Sequence, residues 1–392
     1  MSFSLPLHDP QFHAGDPFPA FRRLRAESPV HWHETPGIWV LTRHEDVVAV
    51  SRDPETFCSS GGVLLSDIER SIVPRQSIIY MDPPEHAKYR KLVQPAFSPG
   101  RLRALEERIG ELVRELAAPL AAEPTVDFVD AFAAPLPMIV IADMLGVPSS
   151  DRARFKRWSD GIIDAGTQPT PDNMAQSVEL LEYFGAVIAE RRERPGDDLI
   201  SVLVHSEIDG ERLEEFDLLM FCLTLLVAGN ETTRNLLSHG ALALATYPAQ
   251  RTLLARDAAL MPGAVEEMLR WGSPVSSFMR VATRDTEIRG TAIREGDRLL
   301  LLYSSANRDE LVFADPEEFS VTRDAARHVA FGFGEHFCLG AQLARMEGRA
   351  AFAQLLARFP DWCVDGKVER LPSLFIRGIV RLPLCFARRR DG

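Results

Sequence analysis

The stretch Phe331-Gly332-Phe333-Gly334-Glu335-His336-Phe337-Cys338-Leu339-Gly340 decides how this chain is to be read. Glycines stand on both sides of Cys338. Glycine accepts φ > 0 and lets backbone approach closely, so the loop can fold tightly against a flat partner. A helix is predicted from near Leu339 to Phe359, which puts Cys338 at its N-terminus. Helix dipole and free N–H groups favour a thiolate there. Three readings compete. An inert buried cysteine is the plainest. A nucleophile would want a base, and His336 is close by in sequence. The third is a thiolate ligand to a ferric haem, for which a sheltered anionic sulfur supports O–O cleavage.

The rest of the chain narrows the choice. It has 392 residues, 46% hydrophobic and 26% charged, and no linker divides it. One domain spanning residues 1–392 is expected, large enough to enclose a big cofactor. Net charge is −12, from 44 basic and 56 acidic residues, which argues against a nucleic-acid partner. Local basic clusters at Lys88 to Lys91 and Arg345 to Arg349 read as solvated helix faces. The five cysteines are scattered and form no CxxC pair, so neither a disulfide framework nor a structural zinc site is expected. The N-terminus is polar, with no signal-like apolar core. The longest apolar run, Leu218 to Gly229, is too short for a bilayer. A soluble, cytoplasmic protein without a membrane anchor is expected.

Periodicity predicts a mainly helical chain with a small β component. A strand and helix fall in 37–50, and helices in 101–122, 151–163, 173–194 and 263–271. Residues 128–145 read as a buried helical segment interrupted by Pro135 and Pro137. Asp217 to Tyr247 is the dominant helix, stopped at Pro248. Strands are expected at Met279 to Ala282 and Arg298 to Tyr303, and a hairpin at 373–386.

Three further patterns carry chemistry. In Leu225-Leu226-Val227-Ala228-Gly229-Asn230-Glu231-Thr232-Thr233, a glycine, an acid and two threonines interrupt an apolar helix. Gly there costs roughly 1 kcal/mol against Ala. A Thr232 hydroxyl can take the Ala228 carbonyl and open the helix. A kinked core helix with an outward acid is the plain alternative. His86 and Arg90 lie four apart, so both can face one side of a helix and donate to a carboxylate. Glu267 and Arg270 form an ExxR pair, weak by itself.

Together these motifs resemble the cytochrome P-450 superfamily over nearly the full length. The loop fits FxxGxxxCxG, with Phe331, Gly334, Cys338 and Gly340 in place. The long helix fits [AG]-G-x-[DE]-T-[TS]. The resemblance implies the cytochrome P-450 fold, a triangular helical prism with a small β-rich lobe, and haem b as cofactor. Cys338 then becomes the iron ligand. Thr232 hydrogen-bonds the dioxygen, Glu231 relays protons, and Ala228 with Gly229 floor the pocket. His86, Arg90, Arg280 and His336 would hold the propionates, and Phe331 and Gly340 complete the cofactor loop. Glu267 and Arg270 would join Arg323 in a structural ion-pair network below it.

The implied reaction is insertion of one oxygen atom of O2 into an unactivated C–H bond of a hydrophobic substrate. Val227, Val275, Phe278 and Phe375 are the candidate pocket walls, with loops near 63–79 and 160–175 as lid; each could equally be core. Ala134-Pro135-Leu136-Pro137-Met138, the Ala228 to Asn235 segment and Glu266 to Pro274 resemble actinobacterial hydroxylases of cholesterol-like side chains and branched lipids. A steroid or other lipid is therefore expected, with a fatty acid, terpenoid or macrolide as alternatives. Electrons would come from a separate ferredoxin and its NAD(P)H-fed reductase, docking on Lys88, Lys91, Arg101, Arg103 and Arg345. A monomer is expected. A peroxide-driven peroxygenase or a haem-based sensor are the competing classes, and neither needs the Glu231-Thr232 pair.

Overall fold

The helix Glu215–Thr246 organises the molecule. It has 32 residues, about 48 Å at 1.5 Å rise per residue. It starts on a reciprocal cap, Glu214 with Asp217, and the next helix opens on Pro248. By length and composition it is the one helix among the described residues that could cross a membrane. Here it is the core helix. Asn235, Ser238 and His239 are fully buried with Leu237 and Ala243, so polar and apolar faces alike are packed. The computed structural model describes residues 5–68, 77–167, 170–208 and 210–387, with only the backbone at 160, 163–167 and 208.

Helices surround this axis. Pro135–Met144, Arg152–Thr167, Pro171–Glu193, Met261–Gly272 and Ala341–Arg358 all pack on it. The prolines of 128–145 divide that segment into a π turn at Val129–Ala133 and an α-helix at Pro135–Met144. Pro135 and Pro137 sit in the first turn, where a missing N–H breaks no helical bond. The helix Pro171–Glu193 begins with a capping box between Thr170 and Asn173.

The main sheet has five strands in the order Val30–His33, Ile38–Leu41, Arg298–Leu302, Ser277–Ala282, Phe57–Cys58. Ile38–Leu41 runs parallel to Arg298–Leu302, and the other pairs are antiparallel. Side chains alternate along a strand, so Phe278 and Arg280 share one face of Ser277–Ala282.

The expected hairpin at 373–386 is not formed. Ile379–Arg381 pairs with Glu369–Arg370, while Pro383–Ala387 pairs with Asp361–Val364 and Val126–Asp127. Alternation marked both strands. No tight turn joins them, and Leu382 and Pro383 carry the chain from one two-stranded unit into the next sheet.

One buried acid gives a test of this packing. Glu347, on the helix Ala341–Arg358, is 1% exposed and its Oε2 has no partner among the described residues. Burial pushes its carboxyl from 4.5 up to about 8. Between those values the unfolded chain has released the proton and the folded chain keeps it. Folding stability therefore falls as pH rises through that window. Glu347→Gln removes the penalty. It should gain on the parent by up to about 1.4 kcal/mol per pH unit, read from urea melts at about pH 5 and about pH 8. A pH-independent difference contradicts the assignment.

Candidate active site

The cysteine loop is built as a cradle. The Cys338 N–H donates to the Phe331 carbonyl at 2.9 Å and closes it. Gly334 has φ +73°, and a Cβ there would lie 2.1 Å from the Ser51 carbonyl oxygen. No other residue fits without moving the neighbouring helix His44–Ser51. The helix Ala341–Arg358 follows directly. Cys338 lies deep yet keeps accessible surface, so its thiol faces an interior space. Burial pushes that thiol up, and the Gly340 N–H, Arg90 and Arg345 pull it down by less. Desolvation thus outweighs the lowering expected from the helix end. A coordinating metal ion deprotonates a thiol outright.

A cationic edge adjoins the loop. His86 and Arg90 lie one turn apart on the helix Glu85–Val93. Arg90 donates to the Glu335 carbonyl at 3.0 Å and the Phe337 carbonyl at 2.7 Å, so it braces the loop backbone itself. His86 is 1% exposed, and its Nε2 has no partner among the described residues. Its ring is 4.2 Å from that of His336, which contacts the Ser59 hydroxyl at 3.1 Å. Arg280, also buried, bonds the Met279 carbonyl through Nη1 at 2.7 Å. Burial, with Arg90 and Arg280 nearby, takes His86 down to about 4. Burial, Arg280 and His86 take His336 down to about 2. Both rings are neutral at pH 7 and can still donate one N–H each.

Glu335 was not singled out by the sequence, because nothing in the spacing marks it. Its carboxylate lies 4.0 Å from His86 and 3.6 Å from His336. Burial and Asp82 push its carboxyl up. Asp82 in turn accepts from the Ser59 and Ser60 N–H groups at 2.7 and 3.1 Å.

The core helix supplies a second group of functional residues. Ala228 is exposed although Leu226 and Asn230 beside it are buried, which marks an interior void. The Thr232 hydroxyl donates to the Ala228 carbonyl at 2.6 Å. A Cβ on Gly229 would sit 2.7 Å from Ile141 Cδ1, so the glycine lets the helix Pro135–Met144 approach. Glu231 is buried, and its Oε1 is held by Arg234 and by the Asn235 amide. Its Oε2 has no partner among the described residues. Arg234 and Asn235 stand three and four residues on, at helical spacing from Glu231; that spacing could have found them.

An aromatic wall joins the two groups. Phe278 and Phe375 rings lie 5.1 Å apart, and Val275 bridges Ile376. The Ile379 N–H donates to Asn235 Oδ1 at 3.0 Å. Segment 374–379 is thus tied both to the core helix and to the strand that carries Arg280. Val227, Val275, Phe278 and Phe375 all keep partial exposure. Of the expected lid loops, residues 69–76 and 168–169 lie outside the described residues.

Beneath the loop, Glu267 and Arg270 are fully buried and bidentate, at 2.6 and 2.8 Å. Arg323 adds a contact to Glu267 Oε1 at 3.1 Å. The expected docking cations fare unequally. Arg345 is locked bidentately on Glu266 at 2.7 and 2.8 Å and stacks on Phe331, so it is a packing group of the loop. Lys88 pairs with Glu211, and Arg101 with the Asp197 carbonyl. Lys91 is exposed and Arg103 is exposed.

A flat amphiphile with two carboxylates fits these groups. It would meet the Cys338 thiol, the apolar stretch of the core helix at Ala228, and the buried donors of His86, Arg280 and His336. Metal-ligating atoms of His86, Glu335 and His336 do lie within 4.8 Å of one another, but the adjacent guanidiniums of Arg90 and Arg280 favour an anion there over a cation.

Comparison with known proteins agrees with this geometry. The family model Cytochrome P450 matches residues 173–384. A steroid C26-monooxygenase of Mycobacterium tuberculosis is 40% identical over 94% of this chain and 93% of its own. A methyl-branched lipid omega-hydroxylase of Mycobacterium bovis is 39% identical over 94% and 90%. The structure of cytochrome P450 CYP109Q5 from Chondromyces apiculatus superposes with a TM-score of 0.90 at 37% identity, covering 99% and 100% of the two chains. Mainly helical, with a small sheet and a glycine-built cysteine loop ahead of a long helix, this chain belongs to the cytochrome P450 family.

Proposed function

We propose that this haem-thiolate monooxygenase hydroxylates a steroid or a long branched lipid at an unactivated C–H bond. Cys338 would ligate the iron, and His86, Arg280 and His336 would donate to the propionates, with Arg90 setting the loop. When bound, the haem supplies O2 activation and O–O cleavage, which no side chain provides. The observation that carries the reading is the exposed turn at Ala228, where the Thr232 hydroxyl bonds the Ala228 carbonyl beside a buried Glu231.

The chain's own groups then divide the work. Thr232 can turn its hydroxyl from the Ala228 carbonyl toward a ligand at that turn. Glu231 has one oxygen fixed by Arg234 and Asn235 and one free to carry a proton. Arg234 keeps 19% of its side chain exposed, so the acid sits one residue from solvent. Proton transfer of this kind needs an ionisable group in reach of the reacting atom, directly or through water. A peroxide-driven enzyme would not need that pair.

The apolar wall of Val275, Phe278 and Phe375 excludes water and gives a substrate no charged anchor. The names of the two relatives above make steroid and branched-lipid substrates the first to try. Electrons would come from a separate ferredoxin and its reductase, with the exposed Lys91 and Arg103 to meet an acidic partner. A soluble, cytoplasmic monomer is the setting proposed.

Two measurements test this reading. Sterols, terpenoids and fatty acids are titrated into holoprotein while the haem spin state is followed. A sterol-induced shift is expected; a response to fatty acids with none to sterols overturns the substrate class. For the proton route, Thr232→Ala should divert reducing equivalents from product to hydrogen peroxide, lowering coupling by about tenfold or more. Unchanged coupling contradicts the role of Thr232.

A further inference from the structure

We propose that Cys363 and Cys385 form a second redox site, a dithiol that hydroperoxides close into a cross-strand disulfide. The two residues are far apart in sequence, but antiparallel pairing of Asp361–Val364 with Pro383–Ala387 sets them directly opposite. Alternation fixes their side. Trp362 and Phe386, the adjacent pair, turn into the core at 2% and 7% exposure. Cys363 and Cys385 therefore share the outer face, the first exposed and the second half-buried. Both are free thiols, and the Cys385 sulfur is near enough to raise the Cys363 thiol.

Geometry permits closure. Opposed residues in an antiparallel pair have Cα atoms about 4.5–5.5 Å apart, inside the roughly 4.4–6.8 Å window of disulfides. The strands are held firmly. Asp365 N–H donates to the Pro383 carbonyl at 3.0 Å, and the Trp362 indole to the Ala241 carbonyl of the core helix at 3.1 Å. Closure thus needs side-chain rotation, with the backbone already in register. Cys222 is buried in the core and Cys338 lies in the cradle, so neither competes.

The chemistry balances with one hydroperoxide. The exposed Cys363 sulfur attacks the peroxide oxygen, giving a sulfenic acid and releasing the alcohol or water. The Cys385 sulfur then attacks the Cys363 sulfur, expelling water and forming the S–S bond. Two thiols are oxidised and one O–O bond is reduced. Attack requires the thiolate. Burial and the Cys385 sulfur push the Cys363 thiol up, so the reaction quickens as pH rises. The bond would clamp residues 364–384, the segment that carries Phe375.

The test uses holoprotein treated in parallel with hydrogen peroxide and with the thiol oxidant diamide, then alkylated and mapped by peptide mass spectrometry. The expected result is one crosslink joining the Cys363 and Cys385 peptides, a loss of two alkylatable thiols, and reversal by dithiothreitol. Cys363→Ser and Cys385→Ser should each abolish the crosslink while leaving the reduced CO spectrum unchanged. The proposal is overturned if Cys363 passes to sulfinic acid with Cys385 still alkylatable, if neither thiol reacts with either oxidant, or if the crosslink joins another cysteine.

Discussion

Cys338→Ser is expected to lower oxygenation by at least about 10³-fold, roughly 4 kcal/mol of barrier, with little change in the stability of the fold. Serine occupies nearly the volume of cysteine and can accept the same N–H of Gly340 that now points at the sulfur. The loop is held by other bonds, from Cys338 N–H to Phe331 and from Arg90 to Glu335 and Phe337. None of these involves the sulfur. What is lost is the soft anionic ligand whose electron donation favours O–O cleavage. Product formation with a substrate that shifts the spin state is the readout, next to a thermal melt. Retained turnover would remove Cys338 from the mechanism. A collapsed melt would show that the sulfur holds the fold.

Glu267→Ala is the second large effect, and it acts on the scaffold. Glu267 and Arg270 are both fully buried. Arg270 also donates to the carbonyls of Asn307, Pro316 and Glu318, and Glu267 accepts from the Ser320 N–H and from Arg323. The pair therefore fastens the helix Met261–Gly272 to the segment that leads into the cysteine loop. Deleting the acid leaves a guanidinium buried without its counter-charge, which costs about 3–5 kcal/mol. Domains are stable by only about 5–15 kcal/mol, so Glu267→Ala should lose much of its stability and retain little haem. Urea melts and haem content measure both. A variant within about 1 kcal/mol of the parent would show that the Arg270 carbonyl bonds suffice.

Those two residues illustrate what the sequence makes legible. Cys338 stands out because glycines flank it and a helix follows. Glu231 and Thr232 stand out because acids and hydroxyls are expensive inside an apolar helix. Local chemistry of that kind is written in consecutive residues. Partners brought together by folding are not. Arg345, expected to face a partner, is instead engaged by Glu266, far off in sequence, which accepts from its Nε and Nη2. The hairpin expected at 373–386 failed because alternation identifies strands but never their partners. The same limit hid the Cys363 and Cys385 pair, whose encounter depends wholly on register. The thiol direction at Cys338 was missed for another reason: a helix end is visible in sequence, and the depth of burial that outweighs it is not.

The account rests on one bond, between the Cys338 sulfur and the haem iron. The absorption spectrum of freshly prepared holoprotein, reduced and saturated with carbon monoxide, reads that bond directly. A Soret band at about 450 nm is predicted if the Cys338 thiolate holds the iron. A band at about 420 nm in protein that still turns over would contradict it.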